Sequence, residues 1–255
     1  MGIDLPQFMH LVDLSTRFRP QGRSLMLGRQ RLRLNVTHRK AANGALKAAG
    51  LEMKWRELTQ DDGFSETMWD KLGFAGIETM DLSDYEGATI LHDLNHPLPK
   101  DLEGQFDFIF DGGTIEHVFN VPMALTNVFR MLRPGGRFVS VNGMHGWTGH
   151  GLYQFGPELA WTFWRRACGC TVHRCIGLAR DENVPDLNLP DAAETGVRLK
   201  LRGKLPNSRV YLYYEVEKTP DSQYDGIVLQ SDYQTRWSRS DGADKAEDIS
   251  ERAAT

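Results

Sequence analysis

The sequence predicts an α/β fold, a doubly wound and mostly parallel central sheet with an antiparallel last strand, and three observations carry that prediction. The first is QFDFIFD, Gln105 to Asp111, an apolar run ending in an acid, as expected of a parallel strand buried on both faces. The second is the segment after it. A connection of small and polar residues, GGTIEHVFNVP, leads into Leu125, Val128, Phe129 and Leu132 at helical spacing, and then into a second apolar run, RFVSVNG. Strand, helix and strand with short connections make a right-handed crossover unit. The third is repetition. RSLMLG, GIETMDLS and ATILHDL read as upstream strands that reach a glycine or an acid at Gly28, Asp81 and Asp93. In open α/β sheets the ligand lies beyond the carboxyl ends of the strands.

Taken in order, the strand RSLMLG is followed by room for a helix around Lys40 to Ala49 and by an excursion, Leu51 to Gly73, that contains FSETMWDKLG. After the two short strands ending at Asp81 and Asp93 comes the crossover unit. Its helix starts at Pro122, a residue suited to a first turn, and is stopped by Arg133-Pro134-Gly135-Gly136. GPELAWTFWRRACGC reads as a helix begun near Pro157, TVHRCIGLA as a strand, and SRVYLYYEVEK as a long final strand folding back antiparallel. Residues 1–218 are expected to form one domain with excursions at 51–73 and 180–207. The polar tail 219–255 is expected to be loosely attached, with Tyr233 and Trp237 able to pin part of it.

A chain of 255 residues, 40% hydrophobic, can bury one substantial core. Its net charge of -4 gives no general attraction to phosphate backbones or anionic lipid, although Arg29, Arg31, Arg33, Arg39 and Lys40 make a local basic patch. Nucleic acid is not the expected partner; a small-molecule acceptor is. The first residues lack a basic start and an uninterrupted apolar segment, Pro6 stands where a myristoylation signal would have Ser or Thr, and no stretch is apolar enough to cross a bilayer. A cytoplasmic location is expected, and the oligomeric state is not legible. Cys168, Cys170 and Cys175 lack a second ligand pair and read as reduced thiols; no metal is assigned.

The stretch FDFIFDGGTIEHVFNVPMALTNVFRMLRPGGRFVSV resembles the fourth strand, following helix and fifth strand of class I S-adenosylmethionine-dependent methyltransferases, including the Glu-His pair and the Leu-Arg-Pro-Gly-Gly turn. The likeness is strongest over Leu91 to Asn142 and weaker from Arg23 to Ile90. GHGLYQFGPE is also similar to a segment of a bacterial subgroup, some of whose members modify small molecules or glycans. The resemblance implies a Rossmann-like methyltransferase architecture with S-adenosylmethionine as cofactor. It places Gly28 at the first cofactor loop, Asp81 at the ribose hydroxyls, and Asp93 with Leu94 at the adenine. Asp111 and Gly112 then fall where the backbone approaches the methionine part. The departure is Arg29-Gln30, where further small residues are usual. Arg29 is placed either to bond the methionine carboxylate or to fill the pocket.

Methyl transfer from a sulfonium is a direct displacement, so the protein must align the acceptor and deprotonate it if it is a hydroxyl. The candidate bases are Glu116 and His117 after the fourth strand and His145 and His150 after the fifth. Glu116 can equally cap backbone donors, and His117 can pack under the cofactor. In the loop His145 to Phe155, glycines permit bending, and His145, Tyr153 and Gln154 are candidate acceptor contacts. The expected activity is O- or N-methylation of a small polar acceptor. The alternatives are a non-catalytic binding protein that retains the fold, motivated by Arg29-Gln30, and a nicotinamide oxidoreductase, disfavoured because no Gly-x-Gly-x-x-Gly turn follows the first strand.

Overall fold

The computed structural model describes residues 2–195, 197–224 and 226–230. In chain order the elements are β1 (Gly2–Ile3), α1 (Leu5–Arg17), β2 (Arg23–Leu27), β3 (Arg31–Leu32), α2 (Arg39–Ala48), α3 (Glu66–Lys71), β4 (Glu78–Asp81), β5 (Ile90–Leu91), β6 (Phe106–Asp111) and α4 (Val121–Met131). Then come β7 (Leu132–His145), a π-helical segment (Leu159–Ala167), β8 (Thr171–Ala179), β9 (Leu187–Asn188), α5 (Ala192–Thr195) and β10 (Val210–Glu217).

The main sheet runs β5-β4-β2-β6-β7-β10-β8-β9. The five strands from β5 to β7 are parallel, as expected, and β10 is antiparallel to β7. The last strand is not an edge: it lies between β7 and β8, pairing antiparallel with both. β9 adds a short antiparallel edge, and β1 pairs with β3 in a separate two-stranded sheet.

Alternation along the strands divides the core in two. Leu25, Leu27, Ile109, Leu212 and Tyr214 face a cluster with Val128 and Phe129 of α4 and Trp164 of the π segment. Met26, Phe108, Phe110, Tyr211 and Tyr213 face the other, with Phe8 and Leu11 of α1, Leu46 of α2 and Trp69 of α3. Helices on both faces of a mostly parallel sheet are the doubly wound arrangement. The N-terminal helix α1 lies outside the elements expected from the sequence. Asp4 caps it, accepting from Gln7 N at 3.3 Å, and Pro6 sits in its first turn.

α4 begins at Asn120, whose side chain accepts from Met123 N, and ends before Arg133, which Pro134 holds extended. Lys218 then donates to the carbonyls of Phe129 and Leu132, both at 2.8 Å, satisfying the helix end. The segment expected as an α-helix near Pro157 is π-helical instead, with Cys168 N reaching Phe163 O at 2.9 Å. Phe163 and Trp164 both pack inward, while Trp161 bonds the Leu189 carbonyl.

The excursion 51–73 supplies Trp69 to the core, against Phe74, Phe108 and Phe110, and carries Asp62 and Glu66 toward β2. At the start of the expected tail, Ser222 donates to Gly169 O and Tyr224 packs against Phe163, so 219–224 are held to the domain. Tyr233 and Trp237 lie outside the described residues. Among the described residues no helix is long and apolar enough to cross a membrane. Cys168, Cys170 and Cys175 are buried and form no disulfide, and burial pushes the Cys170 and Cys175 thiols up to about 11 and about 12.

Candidate active site

The parallel strands end nearly level, Leu27 pairing with both Met80 and Asp111, so the residues just beyond them form one row. Gly28 turns the chain at φ +63, and a Cβ there would stand 2.7 Å from Thr114 Oγ1. Only glycine fits both the conformation and the space. The Asp81 carboxylate lies beside this turn and accepts from Leu82 N at 2.7 Å.

Arg29 does not face this row. Its guanidinium pairs with Glu66 at 2.6 Å and Asp62 at 2.8 Å, donates to the Glu86 carbonyl, and covers the Phe64 ring. Acids on the 51–73 excursion hold it there. The side chain that packs between Gly28 and Gly112 is Gln30. It is buried, donates to the Leu27 and Gly28 carbonyls, and lies where a Cβ on Gly112 would meet it at 3.0 Å. Its Oε1 is buried with no hydrogen-bond partner.

The other expected cofactor residues have defined neighbours. Asp93 makes an Asx turn, Oδ1 accepting from both nitrogens of Asn95, with Oδ2 3.5 Å from His96. The Leu94 side chain is in the core. Asp111 is fully buried: Oδ1 accepts from Thr114 N and Ile115 N, Oδ2 from Ser140 and Asn142. Burial holds this carboxyl above its ordinary range against those donors. Its side chain fixes the turn after β6.

Past β6 the chain makes a 3₁₀ turn, Ile115–His117, which brings Glu116 under the loop that succeeds β7. Leu152 N and Tyr153 N both donate to the Glu116 carbonyl, and a Cβ on Gly151 would stand 3.0 Å from that oxygen. The Glu116 side chain is buried. Oε2 accepts from Gly143 N at 2.5 Å, and Oε1 points between His117 Nε2 at 3.7 Å and His150 Nε2 at 3.4 Å. Burial, assisted by the Asp111 charge, pushes its carboxyl up to about 7 against the Gly143 bond. Both imidazoles are lowered from the ordinary histidine value, chiefly by burial. Three residues named separately in the sequence therefore converge.

The three loop residues expected at the acceptor do not. Tyr153 donates to the Phe119 carbonyl and stacks with Phe155; Gln154 accepts from Trp147 N. Their hydrogen bonds hold the loop closed over Glu116. His145 is exposed at the end of β7, opposite Val210. The residue that does face an opening is His150. It lines a cavity of about 700 Å³ with Trp147, Arg33, His38, Arg180 and Arg209. Arg209 covers the Trp147 ring, and Arg180 approaches Asp4 at 3.8 Å. Arg180 and Arg209 carry no local sequence signal and arrive from the ends of β8 and β10. Arg33 is visible in the sequence only as part of a basic patch, which the fold divides.

Residues 79–140, from β4 into β7, match the methyltransferase-domain family. The matched segment lies within the parallel half of the sheet, to which the antiparallel β10 is joined through β7. The fold is a doubly wound, Rossmann-like α/β fold, and the segment from β4 into β7 within it is similar to a methyltransferase domain. Similar solved structures include a Burkholderia thailandensis 1,6-didemethyltoxoflavin-N1-methyltransferase with bound 1,6-didemethyltoxoflavin and S-adenosylhomocysteine. It is 13% identical over 84% of this chain and 78% of that one, with a TM-score of 0.44. A TehB-like methyltransferase of Corynebacterium glutamicum is 17% identical over 83% and 87%, with a TM-score of 0.40. A methyltransferase of Aquifex aeolicus is 12% identical over 81% and 88%, also at 0.40. No curated protein matches the sequence.

Proposed function

We propose that this protein is an S-adenosylmethionine-dependent methyltransferase acting on a small polar acceptor that carries an anionic group, at oxygen or nitrogen. The observation that carries the reading is the Asp81 carboxylate beside the Gly28 turn, inside the segment that matches the methyltransferase domain. The residues present fit the cofactor. Asp81 would accept from the ribose hydroxyls, and the orphaned Gln30 Oε1 offers an acceptor to the methionine ammonium. When bound, S-adenosylmethionine supplies an electrophilic methyl group.

The chain's own residues do the rest. Arg33, Arg180 and Arg209 attract the anionic end of an acceptor into the cavity, and Trp147 offers it an aromatic wall. His150 sits where the cavity meets Glu116, and an acceptor hydroxyl would lose its proton at this cluster. Three arginines against Asp4 and Glu182 leave the cavity with an excess of positive charge, which argues for a metabolite or a glycan bearing phosphate or carboxylate. A net charge of -4 argues against nucleic acid. Reduced, buried thiols suit a cytoplasmic enzyme.

Calorimetric titration of the full chain with S-adenosylmethionine tests the reading; saturable one-to-one binding is expected. Labelled-methyl transfer to panels of anionic alcohols and amines then identifies the acceptor. With an acceptor in hand, His150→Ala should lower turnover by roughly a hundredfold and leave cofactor affinity unchanged. Loss of cofactor affinity in that variant would move His150 to the other side of the site. The Gln30 side chain between Gly28 and Gly112 favours a second reading, cofactor binding without turnover, which binding combined with no transfer across the panels would support.

A further inference from the structure

The cysteines suggest no metal site, but the fold assembles a different donor set. Glu116, His117 and His150 each offer one ligand atom, and all three atoms lie within 4.8 Å of one another. The Glu116 oxygen is 3.7 and 3.4 Å from the two imidazole nitrogens. A tetrahedral cation bound at about 2.1 Å has ligand-to-ligand edges of about 3.4 Å, so small side-chain rotations would close the set.

A second observation points to a ligand. The Glu116 side chain is 1% exposed, and its Oε1 has no hydrogen-bond donor although it is aimed between the two rings. A carboxyl oxygen buried there without a donor is costly unless a proton or a cation meets it. The other oxygen is fixed by Gly143 N, so the carboxylate is oriented before any ion arrives.

We propose that Glu116, His117 and His150 form a binding site for a divalent transition-metal cation, with its open coordination positions toward the arginine-lined cavity. Two imidazoles and one carboxylate suit Zn²⁺, Fe²⁺ or Mn²⁺ better than Ca²⁺ or Mg²⁺, which prefer all-oxygen sets. Three protein ligands leave a position free, and His150 borders the cavity. An acceptor hydroxyl entering that position would be acidified and release its proton to solvent. That last step rests on the methyl-transfer reading; the cation site does not.

The test uses the full chain, freed of metal with a chelator and titrated without S-adenosylmethionine. Zn²⁺ is followed by calorimetry and Co²⁺ by its visible absorption. The expected result is one equivalent bound, weakened at least about tenfold in each of Glu116→Gln, His117→Ala and His150→Ala, and unchanged in His173→Ala, whose imidazole pairs with Glu217. His117 is half-exposed, so its variant keeps the test valid if Glu116→Gln folds poorly. No saturable binding, or binding unaltered in all three variants, overturns the site. A separate titration of the metal-free protein with S-adenosylmethionine distinguishes the two ideas: cofactor binding without Zn²⁺ binding sinks only the cation site, and the reverse sinks only the methyltransferase reading.

Discussion

Asp81 and Gln30 show how much one side chain decides at the strand ends. Asp81→Ala should weaken S-adenosylmethionine binding by up to about 3 kcal/mol, because a carboxylate accepting two hydroxyls makes charge-assisted bonds. Calorimetry on the folded variant checks this, and equal affinities would remove Asp81 from the ribose. Gln30→Leu keeps the bulk but removes the unpartnered oxygen. The expected loss is about 1.5 to 3 kcal/mol of cofactor affinity, the range for a hydrogen bond to a charged group. An unchanged affinity would leave Gln30 as packing between Gly28 and Gly112. Asp81 is legible in the sequence because an acid at a strand end has a local signature. Gln30 is not, because its place depends on Gly112, brought to it from the end of another strand.

Between elements, a partly buried ion pair joins the N-terminal helix to the last strand. Arg17 of α1 pairs with the buried Glu215 of β10 at 2.5 Å, across 198 residues of sequence, and Tyr213 donates to the same oxygen at 2.7 Å. Arg17→Ala leaves the carboxylate with Tyr213 and a more distant Arg174 at 3.9 Å. Since Arg17 is about one-third exposed, the expected cost is reduced to about 2 to 3 kcal/mol of stability. Denaturant titration measures it. Adding Glu215→Gln to Arg17→Ala should recover part of the loss; a double variant no better than the single one would mean that the charge was not the problem. Neither partner has a sequence signal for the other, since charge patterning reads neighbours within a helix turn and this pair is created by sheet order.

For the whole molecule the same pair shapes the acid limit of stability. Burial alone would raise Glu215, but the Arg17 hydrogen bond, the Tyr213 hydroxyl and the charges of Arg17 and Arg174 outweigh it and lower its pKa below 4.5. A carboxyl lowered in the folded state contributes stability that is present above the unfolded value and lost as pH falls through the folded one. The stability gap between the wild type and Glu215→Gln should therefore be widest above about pH 4.5 and should narrow below it. A gap that stays constant from pH 6 to pH 3 would show that Glu215 is not ionised in the folded protein.

The central sheet and its functional edge are written locally in the chain. The run Phe106 to Asp111, the helix from Pro122 and the acids at Asp81 and Asp93 are signals carried by periodicity and strand-end chemistry within a few residues of each other. Glu116, His117 and His150 are also legible there as candidate bases, though not as a group. Three features belong to the folded chain alone: that these three meet, that Arg29 turns to Glu66 while Gln30 packs between Gly28 and Gly112, and that Arg33, Arg180 and Arg209 share a cavity. Each depends on which chain segments the sheet order sets side by side, and a side chain's partner across that distance leaves no periodic trace in one sequence.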